Sequence, residues 1–249
     1  PSVAIGNWLD GPADTAPQTI VVPFDLGWLW FACSGGGRAW VQVTLDAADG
    51  AKMSPARRLA HAMGCCAAEL PADFRLADAA PVVRECSPIL SAVPHDLSVL
   101  PVGDAAAAMD PLSGHGMFWA VSGALATAAV RRSLTDDAAS RALVRQFLAE
   151  RARDLFLRQA RLGRDFIRSE TRRAALPFWR ARAEFPDDEP AHGRIEAITT
   201  RRQVVVRNGR LAELDVLVSP RSPAGVAWFG DLPAAELWRA HASGDDAER

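Results

Sequence analysis

Three runs rich in β-branched and aromatic residues, Ile20 to Phe24, Trp28 to Cys33 and Ala39 to Leu45, follow one another across gaps of only a few residues. A parallel crossover needs a dozen residues or more, so strands this closely joined are committed to an antiparallel meander. Turn formers stand where the chain must reverse: Asp25 and Gly27 in the first gap, Ser34-Gly35-Gly36-Gly37 in the second. Within Ala39 to Leu45, the polar Gln42 and Thr44 alternate with Val41, Val43 and Leu45. That alternation describes a sheet with one face in a core and the other toward solvent or a ligand. The glycine triplet reads as a hairpin turn, because no helix follows it closely enough to make a phosphate cradle.

Ser54 is placed to cap a helix with Pro55 at its first position, running to Leu70 before Pro71. A second strand-rich stretch covers Pro81 to Cys86 and Ser98 to Val102. From His115 to Arg132 the residues are apolar nearly all round, which marks a helix buried on most faces. Asp136 and Asp137 cap a long helix with Leu143, Phe147, Leu155, Leu162 and Phe166 on one side and Arg141, Arg145, Arg151, Arg158 and Arg161 on another. The arginine face is either solvated or a receiving surface for an acidic protein substrate. After the Pro186 to Pro190 linker come two strands, Gln203 to Arg207 and Leu211 to Val218, joined by Asn208-Gly209, then a helix from Pro233 to Ala242.

These segments divide the chain into residues 1–96, mainly sheet and one helix; 97–185, with the long helix; and 186–249, a small C-terminal α+β appendage. The fold class is α/β. With 49% hydrophobic and 23% charged residues and a net charge of −2, the chain is globular and lacks the positive field that would gather nucleic acid or an anionic membrane. Cys33, Cys65, Cys66 and Cys86 show no C-x-x-C spacing, and the apolar runs are short, so reduced thiols in a cytoplasmic protein are expected. His61, His95, His192 and His241 share no metal-ligand spacing, and no metal is assigned.

The segment Leu100-Pro101-Val102-Gly103-Asp104 through Asp110-Pro111-Leu112-Ser113-Gly114-His115-Gly116 carries the chemistry. A strand is expected to end at Gly103, with the Asp104 carboxylate just past it and a Pro- and Gly-bearing loop leading into the apolar helix. Ligands of open α/β sheets bind at strand carboxyl ends, where Asp104 is placed to accept from ribose hydroxyls. The free amides around Gly114, His115 and Gly116 lie at a positive helix end suited to a delocalised anion such as the N1 and C2-carbonyl region of reduced flavin.

In this order the segment resembles the second FAD fingerprint of the p-hydroxybenzoate hydroxylase-like flavoproteins, G-D-A-A...D-P-x-x-G-x-G. Gly27-Trp28-Leu29-Trp30 resembles the G-W-x-W strand of the tryptophan halogenases and related monooxygenases, and Pro177-Phe178-Trp179-Arg180-Ala181-Arg182 their P-F-W-x-x-R segment. The branch it is most similar to hydroxylates a peptidyl tryptophan during tryptophylquinone biogenesis. The resemblance implies that residues 1–96 are mainly a substrate-domain sheet and 97–185 the C-terminal part of a Rossmann-like FAD-binding domain, with FAD held by Gly103, Asp104, Pro111, Gly114, His115, Gly116 and Met117, and a substrate pocket touched by Trp28 and Trp30. It also implies hydroxylation of an electron-rich aromatic substrate through a flavin C4a-hydroperoxide, with electrons from NAD(P)H or a partner flavin reductase. His115 is the candidate catalytic residue, donating to the flavin carbonyl or assisting proton transfer, or else a plain helix-start residue.

The chain departs from the pattern twice. Phe31-Ala32-Cys33 replaces the halogenase x-I-P that follows W-x-W, which counts against the alternative of halogenation. No G-x-G-x-x-G follows any strand, so the pyrophosphate cradle is expected on a missing N-terminal half that acts as partner. Without such a half, the chain reads as a non-catalytic interaction module.

Overall fold

The computed structural model describes residues 1–135, 137–193 and 197–242, and the chain forms two compact units, Pro1–Ser87 with Gly163–Asp187 and Pro88–Leu162 with Asp188–Arg249. Asp136, assigned above to the start of the long helix, lies outside the described residues.

The first unit is built on the meander. Strands β1 (Ser2–Asp10), β2 (Gln18–Phe24), β3 (Gly27–Cys33) and β4 (Arg38–Asp46) are joined by β5 (Arg75–Leu76) and β6 (Val82–Glu85) in an antiparallel sheet ordered β2-β3-β4-β1-β5, with β6 also pairing β1. The β3–β4 hairpin turns through Gly35, Gly36 and Gly37, all at positive φ, as the triplet requires. Gly27 is needed for a different reason: a Cβ there would lie 2.0 Å from the Thr44 carbonyl oxygen across the ladder.

One sheet face makes the core. Ile5, Leu29, Phe31, Val41 and Val43 are wholly buried beneath helix α1 (Pro55–Cys65), which contributes Leu59, Ala62 and the following Cys66. Ser54 Oγ accepts the Arg57 amide at 3.4 Å, as the capping pattern demands. The helix stops short of Leu70, since Ala67, Ala68 and Glu69 are exposed and nothing rewards another turn. The other face is covered at one end by α4 (Pro177–Ala183), the P-F-W-x-x-R segment. Trp179 Nε1 donates to the Phe24 carbonyl at 2.9 Å, the Arg182 guanidinium lies 3.7 Å above the Phe178 ring, and Arg182 reaches Ser2 Oγ at 2.6 Å and Asp46 at 3.5 Å. In this chain the motif is a fastener for the sheet.

The second unit contains β7 (Ile89–Leu90), paired with β8 (Ala107–Ala108), then α2 (Gly116–Ser133) and most of α3 (Ala138–Ser169), which is divided between the units after Leu162. Asp137 Oδ1 accepts the Ser140 amide at 2.8 Å and caps α3. The tail supplies β9 (Thr199–Arg207), β10 (Arg210–Ser219) and β11 (Ser222–Val226) as one antiparallel sheet, a short β12–β13 pair (Trp228–Phe229, Leu232–Pro233) and α5 (Ala234–Ala242). Asn208 and Gly209, both at positive φ, make the expected two-residue turn.

Three expectations are corrected. Ser98 to Val102 is not a strand: Leu97 sits at φ 56°, the Ser98 amide bonds Asp96 Oδ1 at 3.1 Å, Pro101 has no amide to offer a ladder, and Gly103–Ala105 is a 3-10 turn. The α+β tail packs inside the second unit, where Val204 and Leu211 complete a core with Leu97, Val130, Val144 and Phe147. A hairpin with one apolar face needs that cover. The arginine face of α3 is only partly solvated: Arg141 and Arg145 bond the carbonyls of Asp96 and Pro94 at 3.5 and 3.3 Å, and Arg151 turns inward to Ser122 Oγ.

The third concerns α2. Trp119, Ala129 and Val130 are buried, but Met117, Phe118, Val121 and Leu125 are 86%, 69%, 62% and 73% exposed. The apolar periodicity is real, yet one whole side of the helix finds no partner among the described residues. All strand pairings in both units are antiparallel, and no described helix is long and apolar enough to cross a membrane.

Candidate functional site

Gly103 to Met117 lie together in the second unit, at the start of α2. Gly103 is buried at φ 57°, and a Cβ on it would come within 3.0 Å of Ala120 Cβ, so the backbone rests directly on α2. That seating leaves Asp104 exposed, with no hydrogen bond to its carboxylate among the described residues. Asp110 Oδ1 then accepts the Leu112 amide at 3.0 Å, capping a 3-10 turn with Pro111 in its first position, and the turn ends on Gly114 at φ 67°.

His115 occupies the N-cap position of α2 without capping it. The first amide bonded along the helix is that of Trp119, to the His115 carbonyl at 3.0 Å. The amides of Gly116, Met117 and Phe118 therefore head an 18-residue helix with no side-chain cap, in an exposed segment. Such an end concentrates positive potential. A Cβ on either Gly114 or Gly116 would meet nothing within 4 Å, so a planar group has room to approach. His115 Nδ1 bonds the Ser113 carbonyl, and with the proton on Nδ1 the outward Nε2 is left as an acceptor.

The tryptophans belong to the first unit. Trp28, Trp30 and Trp40 alternate with the core residues Leu29, Phe31 and Val41, and so occupy the opposite sheet face. Trp30 is half-buried and its Nε1 donates to Thr19 Oγ1 at 2.8 Å, whereas Trp28 is only 4% exposed. Trp8 was not foreseen. It lies edge-on to Trp40 at 5.2 Å with the Arg38 guanidinium 4.5 Å over its ring, and Gly6 leaves the space that Trp40 covers, since a Cβ there would fall 2.4 Å from that ring. Its signal was available: a Trp at even spacing from Gly6 and Ala4 in a strand.

Solved structures provide the comparison. The peptidyl tryptophan dihydroxylase QhpG, described as essential for tryptophylquinone cofactor biogenesis, superposes with a TM-score of 0.81 and 35% identity over 98% of this chain and 58% of its own. The flavin-dependent halogenase CmlS gives 0.65 and 16% over 99% and 57%, and BrvH, a flavin-dependent halogenase from Brevundimonas sp. BAL3, gives 0.52 and 20% over 76% and 35%. At those identities the two halogenases speak for the fold alone. The chain spans less than two thirds of each relative's length. No family model and no curated protein matches the sequence.

Proposed function

We propose that this chain, which belongs to the fold family of the flavin-dependent aromatic hydroxylases and halogenases, is the flavin-ring and substrate side of a hydroxylase whose substrate is a peptidyl tryptophan. The observation that carries the reading is the uncapped N-terminus of α2 beside a free Asp104, on a chain 35% identical to a peptidyl tryptophan dihydroxylase. Bound there, FAD supplies the oxygen-activating redox chemistry, drawing electrons from NAD(P)H or a partner reductase.

The chain's own residues do the rest. Asp104 would accept from hydroxyls of the cofactor's sugar chain, the amides of Gly116, Met117 and Phe118 would hold negative charge on it, and Gly114 and Gly116 leave room for a planar group. His115, its Nδ1 bonded to the Ser113 carbonyl, would present Nε2 as an acceptor toward the bound cofactor. Trp30 and Trp40 offer flat apolar surface to an indole.

Hydroxylation is preferred to halogenation on one local feature. Where the halogenase pattern carries proline, Cys33 continues the β3 ladder, paired with both Gln18 and Ala39. The ADP side of FAD must come from polypeptide outside this sequence, which contains no G-x-G-x-x-G. The exposed apolar side of α2 is a surface such a half would cover.

The test reconstitutes the chain with a polypeptide carrying that motif, adds FAD and a reductant, and follows a tryptophan-containing peptide by mass spectrometry. Gain of oxygen is expected, and gain of halogen in the presence of halide would overturn the reading. Asp104→Ala should weaken FAD binding about tenfold or more, the worth of a charge-assisted hydrogen bond. An unchanged dissociation constant reduces Asp104 to a loop residue.

A further inference from the structure

The second unit carries an open cleft of about 460 Å³, within the range of small-molecule sites. Its walls come from α2, α3 and the β9–β11 sheet with the start of β12, all inside that one unit. Phe118, Trp119, Phe147 and Trp228 give it apolar surface, and Glu150, Asp154, Arg151, Arg158 and Gln203 give it polar groups.

The polar groups are incompletely matched. Trp119 Nε1, Glu150 Oε2, Arg151 Nε and Gln203 Oε1 are buried without a hydrogen-bond partner, although Trp119 is only 4% exposed. Gln146 satisfies just one oxygen of Glu150, at 3.0 Å. Arg151 bonds Ser122 and lies 5.2 Å from the Trp119 ring centroid, but no carboxylate pairs with it among the described residues. Burial depresses its guanidinium; burial also raises the Asp154 carboxyl, against the pull of Arg201 and with Glu150 nearby, so groups of both signs border one cleft. Buried polar atoms are nearly always paired, and buried charges are matched by an opposite charge.

A simple cation entering here leaves Arg151 unmatched, and a simple anion meets Glu150 and Asp154. We infer that the cavity binds a dipolar ligand of the amino-acid or short-peptide class, its ammonium toward Glu150, Asp154 and Gln203, its carboxylate toward Arg151 and Arg158, and its apolar body against Trp119, Phe147 and Trp228. The inference rests on the cavity alone and stands or falls independently of the flavin reading.

Calorimetric titration of the 249-residue chain with the dipeptide Leu-Phe, its N-acetyl and C-amide derivatives, and free phenylalanine tests it. Saturable one-to-one binding of Leu-Phe is expected, about tenfold weaker once either end is capped. Equal binding of phenylalanine assigns the site to a free amino acid, and weaker binding of it to a peptide. Arg151→Met should weaken Leu-Phe about tenfold while leaving the C-amide unchanged, and Asp154→Asn should do the same for Leu-Phe and spare the N-acetyl form. Such pairing by end is not produced by general damage to the fold. No saturable binding, capped ligands as tight as Leu-Phe, or variants that weaken all ligands equally would each overturn the proposal.

Discussion

The first unit closes on itself, whereas the second is left open. Around the meander, a single contiguous core runs from β2 through β1 to α1, and the far face is fastened by Trp179 and Arg182. In the second unit burial is split among three small groups centred on Val130, on Trp119 and on Leu217, beside a bare apolar helix side and a cavity with unmatched polar atoms. The difference separates two kinds of sequence demand. Residues of the first unit answer mainly to one another, whereas many residues of the second leave apolar surface and polar atoms unmatched among the described residues.

Mutations can break that contrast or sharpen it. The largest effect should come from Phe31→Ala, at a wholly buried position that packs edge-on to Phe74 at 5.2 Å. A loss of about 3–5 kcal/mol is expected from denaturant unfolding. A loss below about 1 kcal/mol would mean that the first core is as loosely packed as the second.

Next is Trp179→Phe, which strips the donor from the buried Phe24 carbonyl and should cost about 1–3 kcal/mol by the same measurement. By contrast, Phe118→Ser on the open side of α2 should change stability by no more than about 0.5 kcal/mol, since the ring is 69% exposed. A cost as large as that of Trp179→Phe would show that something already covers this face.

Asp154→Asn should have the subtlest effect, seen in the pH dependence. Burial raises the Asp154 carboxyl in the folded chain, so the protonated form favours folding, and that support is lost as pH rises through the raised value. The amide cannot ionise. Melting curves should therefore coincide in acid and separate toward neutral pH, with the variant the more stable; a separation of the opposite sign would mean that the nearby Arg201 and Arg153 outweigh burial and Glu150 at Asp154.

Patterns local in the chain were legible from residues alone. The glycine triplet, the Asn208-Gly209 turn, the Ser54-Pro55 helix start and the Asp110-Pro111 to Gly116 loop each follow from backbone preferences within a few residues. Whatever depends on a distant partner was not. Strand β1 hides its place in the sheet because Ser2, Ala4, Gly6 and Asn7 dilute its apolar alternation, although it pairs with β4, β5 and β6. Arg164 reads as another basic residue of α3, yet its side chain is 2% exposed and held by Asp165 and Asp187. The cavity draws its walls from Phe118 through Trp228, a span no periodicity reveals. Nor does an apolar run such as α2 declare whether its neighbours belong to the same polypeptide.

The fastening of the meander by α4 sets a timetable for synthesis. Trp179 meets Phe24 across 155 positions and Arg182 meets Ser2 across 180. At ribosomal rates of roughly 5–20 residues per second, the nascent sheet waits on the order of ten seconds for the Trp179 and Arg182 contacts before α4 emerges. The hairpins are local and can form early, while the closure of so long a loop costs only logarithmically more entropy than a short one. For that interval the newly made sheet lacks the contacts that fasten it, so chaperone capture should peak after the meander has emerged and end once residue 182 has cleared the exit tunnel.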